Sequence, residues 1–134
     1  MIKIQKKDFN VENEIKTIKD KYSSIGAVNV FIGFVRDYNN KRDVKFLELE
    51  VYEQMAIKEL SKIQQRAIKK FKLIDSLIIH RYGKLYVNDK IVLVVCFSVN
   101  RKNSFEATKF IMDYLKKDAP FWKKETYDFG SNWI

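Results

Sequence analysis

Apolar positions along the chain change their spacing several times, and each change marks an element. Val11, Ile15, Ile18 and Tyr22 recur at helical spacing behind Asn10, a residue suited to an N-cap, with Glu12 and Glu14 at the positive end of the first turn. This predicts a first amphipathic helix that ends near Ser23 and Ser24. Residues 27–35 are rich in Val, Ile and Phe and read as a strand; a polar loop over 37–41 leads to a second, alternating strand over 44–52. The short connection predicts that these two strands form a hairpin.

Ala56, Leu60, Ile63, Ala67 and Phe71 mark one face of a long helix, with Lys58, Lys62, Arg66 and Lys69 on the other. Residues 74–82 and 90–99 read as two more strands, joined through 83–89, where Asn88 can take the left-handed turn position usually held by glycine. Phe105, Thr108, Ile111, Met112 and Leu115 form the inner stripe of a last helix, capped by Asn103 or Ser104 and closed before Pro120. The expected order is α β β α β β α with a short aromatic tail. Strand pairs separated by helices argue for an α+β fold with a largely antiparallel sheet. The glycine-rich strand-to-helix turn that a dinucleotide needs is missing, which argues against a doubly wound fold.

Composition narrows the class. With 134 residues, 46% hydrophobic and 32% charged, and only four Gly and one Pro, the chain reads as one compact domain over 1–134, with neither repeat nor linker. The N-terminus lacks the apolar core of a signal peptide, and no apolar run approaches the roughly 18 residues of a membrane span. A cytoplasmic protein is expected. The formal charge of +9 points to anionic partners, but the lysines are scattered and no zinc-finger, RNA-recognition or P-loop pattern occurs. The single Cys96 lies in the apolar run 91–97 and reads as a small buried hydrophobe, while a lone His80 gives no multi-histidine metal site. Neither metal nor cofactor is expected, so any chemistry falls mainly to lysine, arginine and backbone groups.

The segment 116–125 offers candidates for that chemistry. Pro120 drives the preceding residue out of helical geometry, Phe121 and Trp122 need a wall to pack on, and Lys116 and Lys123 can then face one cleft from two elements. The spacing alone also fits a helix stop with solvated lysines. Arg36, His80, Arg81, Arg101 and Lys116 all sit where strands or helices end, an arrangement that makes an electropositive pocket if those ends converge.

Several blocks carry a resemblance. Gly26-Ala27; Phe31-x-Gly33-x-Val35-Arg36; Leu49-Glu50-x-Tyr52-x-x-Met55-Ala56; His80-Arg81-x-Gly83-x-Leu85; Arg101-x-x-x-Phe105-x-Ala107; and Leu115-Lys116 through Ala119-Pro120-Phe121-Trp122-Lys123-Lys124-Glu125, then Trp133, follow in family order. Together they resemble the large, catalytic subunit of molybdopterin synthase. The resemblance implies an α/β-hammerhead fold and a homodimer within a heterotetramer. At each end sits a small ubiquitin-like sulfur-carrier subunit whose Gly-Gly tail ends in a thiocarboxylate. It implies delivery of two sulfurs in turn to cyclic pyranopterin monophosphate, giving the dithiolene of molybdopterin, with no nucleic acid and no membrane involved.

By position, Lys116 matches the family's essential lysine, for proton transfer or covalent assistance, and Lys123 its second active-site lysine. Arg36 and Arg101 match basic residues that hold the substrate phosphate, Arg81 falls in a matching motif, and Met112 and Phe121 match the channel lining. His80 reads as a structural strand residue. Where the family usually has His before the arginine, this chain has Asn100, which can still donate a hydrogen bond to an oxyanion. Asn88 stands in for a common turn glycine, and the sequence reaches Ile134 where many relatives carry a longer basic tail, so contacts from such a tail are not expected here. The rival reading is a basic binding module for RNA or an acidic protein, motivated by the charge and by Tyr38 and Trp133.

Overall fold

The structure, a computed structural model, describes residues 1–39, 42–127 and 130–134, with Arg42 described by its backbone only. Of the expected loop and tail, Asn40, Lys41, Asp128 and Phe129 lie outside the described residues. The chain opens with β1 (Ile2–Gln5), α1 (Val11–Lys19), β2 (Ala27–Phe34), β3 (Tyr38–Asn39) and β4 (Arg42–Val51). After α2 (Glu53–Phe71) come β5 (Asp75–Arg81), β6 (Gly83–Tyr86), β7 (Lys90–Ser98), α3 (Arg101–Lys117), β8 (Phe121–Tyr127) and β9 (Gly130–Trp133). The class is α+β with mainly antiparallel sheets, as expected.

One sheet runs β1-β5-β7-β2, and β1 joins it parallel to β5. The faces of this sheet are coded by alternation. Leu77, Ile79, Leu93, Val95 and Phe97 pack on one side with Phe9 and with Ile18 of α1. Ile78, Val92, Val94 and Cys96 pack on the other with Ala56, Leu60, Ile63 and Ala67 of α2 and Ala107 and Ile111 of α3. Each fully buried Leu or Ile here is worth about 1.5–3 kcal/mol against exposure. Cys96 is buried and its thiol is pushed up, first by burial, so it packs as the small hydrophobe expected. A second sheet runs β3-β4-β8-β9, with β6 on the other side of β4. Val35, Leu47, Leu49 and Leu85 form its small core.

Several expectations need correction. The strands at 27–35 and 44–52 do not form a hairpin: β2 pairs antiparallel with β7, whereas β4 pairs with β3, β6 and β8. Alternation identifies a strand but carries no information about a distant partner. The pairing of β5 with β7 did follow from sequence, and Asn88 turns between them with φ 73°. The aromatic tail is a hairpin of β8 and β9, and the connection 83–89 contains β6. Helix α1 stops at Lys19, and Tyr22 beyond it donates its hydroxyl to Asp75 Oδ2 at 2.8 Å. Helix α3 begins at Arg101 behind its N-cap Asn100, whose Oδ1 accepts from the Asn103 amide at 3.0 Å, so the cap lies ahead of Asn103 and Ser104. Phe105 is exposed; Ser104, Ala107, Thr108 and Ile111 carry the buried stripe. No helix among the described residues is long and apolar enough to cross a membrane.

Candidate active site

The end of α3 explains how two lysines from different elements meet. Its last turn is followed by Asp118, Ala119 and the buried Pro120, and β8 starts at once, with the Phe121 amide donating to the Ala119 carbonyl at 2.8 Å. Pro120 cannot continue a helix, so the chain reverses within three residues. Lys116 on the helix end and Lys123 on the strand thereby line one cavity of about 560 Å³, the size of a small-molecule site. Its floor is the sheet. His80, Val92 and Gly33 lie side by side on β5, β7 and β2, and both Val92 and Gly33 line the cavity. A Cβ on Gly33 would come within 2.9 Å of Val92 Cγ1, so the glycine keeps this row low. Met112, Leu115, Ala119 and Phe121 form apolar walls.

Among the described residues, side chains bring three ammonium groups to the cavity, from Lys116, Lys117 and Lys123, against the single side-chain carboxylate of Asp113. That excess suits an anion. Asp113 is itself held below its ordinary value by Lys109, 2.7 Å away. Although much of the Lys123 side chain is exposed, its proton affinity is lowered, first by desolvation of the ammonium and then by Lys116. Glu125, two residues along on the same face of β8, opposes that shift. Glu125 is buried and its Oε1 accepts from Asn39 at 2.6 Å and from the Tyr127 hydroxyl at 2.8 Å.

The other candidates separate. Met112 and Phe121 line the cavity with Lys116 and Lys123; Arg36, Asn100, Arg101 and Arg81 do not. Arg36 is exposed just beyond β2. Arg101 is exposed at the opposite end of α3, about 22 Å along the axis from Lys116, and Asn100 is occupied as the cap. Arg81 is buried, its Nε donating to the Lys6 carbonyl at 3.1 Å and Nη1 to the Lys90 carbonyl at 3.0 Å, so it ties strands together. Sequence reasoning grouped His80 with the strand-end residues of a possible pocket but read it as a structural strand residue; it is buried in β5 and also lines the cavity. The signal was its alternation with Ile78 on the helix-covered face, readable only once the partners of β5 are known. Among the described residues no His, Cys, Asp and Glu cluster could hold a metal.

Fold and cavity together define an α+β protein with mainly antiparallel sheets and a cationic, lysine-flanked pocket at a helix-to-strand junction. Comparison with known proteins gives the family. The family described as MoaE protein matches residues 4–118. A molybdopterin synthase catalytic subunit from Ralstonia nicotianae is 47% identical over 133 residues, which is 99% of this chain and 76% of the relative. The structure of a molybdopterin biosynthesis MoaE protein from Burkholderia ambifaria superposes with a TM-score of 0.87 at 40% identity, covering 100% of this chain and 88% of that one. The crystal structure of molybdopterin synthase from Staphylococcus aureus gives a TM-score of 0.89 at 30% identity, with 98% and 95% covered. The chain belongs to the MoaE family.

Proposed function

We propose that this protein is the catalytic subunit of a molybdopterin synthase, a sulfurtransferase acting on cyclic pyranopterin monophosphate. The observation that carries the reading is the meeting of Lys116 and Lys123 on one cationic cavity, in a chain whose relatives bear that name. As the family resemblance implies, the sulfur donor is the C-terminal thiocarboxylate of a small Gly-Gly-tailed carrier subunit; the buried Cys96, whose thiol is pushed up rather than activated, fits a donor from outside the chain. In each of two transfers a carbon–sulfur bond forms on the pterin side chain as a carbon–oxygen bond there breaks, and water then cleaves the acyl–sulfur bond, so that the carrier leaves as a carboxylate. The sulfur ends on the pterin side chain. Lys116 offers a cation to the entering carboxylate-like tail and the substrate phosphate. Lys123, with its lowered proton affinity, is the better placed to accept and return a proton during exchange.

Arg101 and Asn100 reach a substrate only if a second copy supplies them. Strand β2 is an edge of its sheet and exposes Val30, Phe31 and Phe34. It runs from Ala27, paired to Ser98 near Asn100, to Phe34, paired to Lys90 at the cavity end. Two-fold pairing of β2 with its copy sets each strand's Ala27 end against the other's Phe34 end. The partner's Asn100 and Arg101 thereby approach this cavity, and a homodimer completes the site.

The test is incubation of the purified chain with pterin and either thiocarboxylated or plain carboxylate carrier. Dithiolene product is expected with the first and none with the second. A stable complex that forms no product with either carrier would leave a binding protein instead.

A further inference from the structure

His80 is buried in the sheet, only 6% exposed, yet it lines the lysine cavity. Two contacts fix its ring. Nδ1 lies 2.8 Å from the Arg81 carbonyl, and a carbonyl only accepts, so the proton of the neutral imidazole resides on Nδ1. The Phe121 ring stacks on the imidazole at 3.7 Å between centroids and 19° between planes, which stops the ring from tilting. The remaining nitrogen, Nε2, therefore carries a lone pair in a set direction. It takes no hydrogen bond from the described residues, whereas the polar side-chain atom sealed without a partner is Ser76 Oγ elsewhere in the sheet. With Nδ1 turned to the Arg81 carbonyl, Nε2 is the ring nitrogen left to face the cavity that His80 lines. The ring also stays neutral: burial, then the nearby Lys123 ammonium, brings its proton affinity down to about pH 4 against the support of the Arg81 carbonyl.

We propose that His80 is a substrate-orienting residue whose Nε2 accepts one hydrogen bond from an N–H or O–H group of the bound pterin, while Lys116 and Lys123 engage its anionic side. The inference rests on the sulfurtransferase reading and adds a contact to it. A cavity lined by ammonium groups offers donors to phosphate; a neutral, oriented acceptor is what recognises the donor edge of a heterocycle. Without such a ligand group the lone pair stays unmatched, and an analogue lacking the donor is disfavoured.

The chain holds one histidine, so the two imidazole nitrogens of ¹⁵N-labelled protein can be read without assignment. The expected apo spectrum shows a protonated Nδ1 and a bare Nε2. Saturating cyclic pyranopterin monophosphate is expected to move the Nε2 signal and leave Nδ1 nearly in place. In kinetics, His80→Asn keeps a donor near Nδ1 and removes the acceptor, so KM for pterin rises about tenfold, the factor one hydrogen bond is worth. His80→Gln restores an acceptor near Nε2 and recovers most of that loss. An Nε2 signal unmoved by pterin, in protein that makes molybdopterin, overturns the His80 inference alone. Wild-type protein that binds pterin and moves Nε2 but forms no product overturns the activity alone, and pterin that does not bind overturns both. The spectrum needs no variant, so a misfolded His80→Asn leaves the test intact.

Discussion

Replacing Arg81 by Met removes a buried guanidinium and little else, since the two side chains have similar length and apolar stems. Arg81 donates Nε to the Lys6 carbonyl and Nη1 to the Lys90 carbonyl, holding the end of β5 to the chain after β1 and to the start of β7. Hydrogen bonds from a charged donor contribute about 1.5–3 kcal/mol each. Both contacts are part-buried, so water replaces some of what is lost, and the lower end of that range applies. The Asp8 carboxylate, 4.0 Å from Nη1 and 64% exposed, adds little. The expected loss is about 3 kcal/mol. For a chain of this length the entropy of unfolding converts 1 kcal/mol to about 3–4 °C, so Tm falls by about 10 °C. Thermal unfolding followed by circular dichroism measures this directly. At a temperature where both proteins are folded, KM for pterin is expected to be unchanged. A Tm within about 3 °C of wild type together with a tenfold higher KM would place Arg81 on the substrate and refute the reasoning.

Other perturbations test other parts of the structure. His80 has its proton affinity lowered from 6.5 to about 4, so the unfolded chain holds the extra proton between those values; stability is complete above about pH 6.5 and drops by about 3 kcal/mol toward pH 4. Urea midpoints across that window should show the fall, and His80→Phe should flatten it; a flat wild-type profile would contradict the buried, neutral imidazole. The carboxylates held below their ordinary value, Asp8 and Asp113, lose their contribution only below that range. A Cβ at Gly26 would lie 2.2 Å from the Val99 carbonyl oxygen, a backbone atom that cannot step aside, so Gly26→Ala should cost several kcal/mol in denaturant unfolding. A loss under about 0.5 kcal/mol would show that the backbone there yields. Lys116→Ala removes a like charge from beside Lys123, so the pH at which Lys123 titrates, followed by side-chain NMR, should move up; a downward move would contradict the shared cavity.

Much of this could be read from the chain because its rules are local. The stripe of Ala56, Leu60, Ile63 and Ala67 faces the core as its spacing required, and Pro120 turns the chain so that Lys116 and Lys123 meet. What escaped was set by pairing between distant segments. Ile2–Gln5 carries too few residues to declare a strand, and becomes one because β5 offers a parallel edge. The lysine-rich 121–127 reads as a tail until β4 pairs with it and buries Glu125 and Tyr127. His80 and Arg81 are neighbours with opposite fates, one on the cavity floor and one donating to carbonyls, because successive strand residues face opposite sides. Charge at an element's end suggested a ligand for Arg81, and burial gave it backbone partners instead.

The central claim is that Lys116 and Lys123 act together on sulfur transfer at one cavity. The most direct measurement is single-turnover molybdopterin formation from thiocarboxylated carrier and cyclic pyranopterin monophosphate, for wild type, Lys116→Ala, Lys123→Ala and the double variant. Each single change is expected to slow product formation by about 100-fold or more, and the double variant should be scarcely slower than the worse single one, because groups that act as a unit are lost together. Wild-type rate in Lys116→Ala, or product from that variant with unchanged dependence on Lys123, would contradict the account.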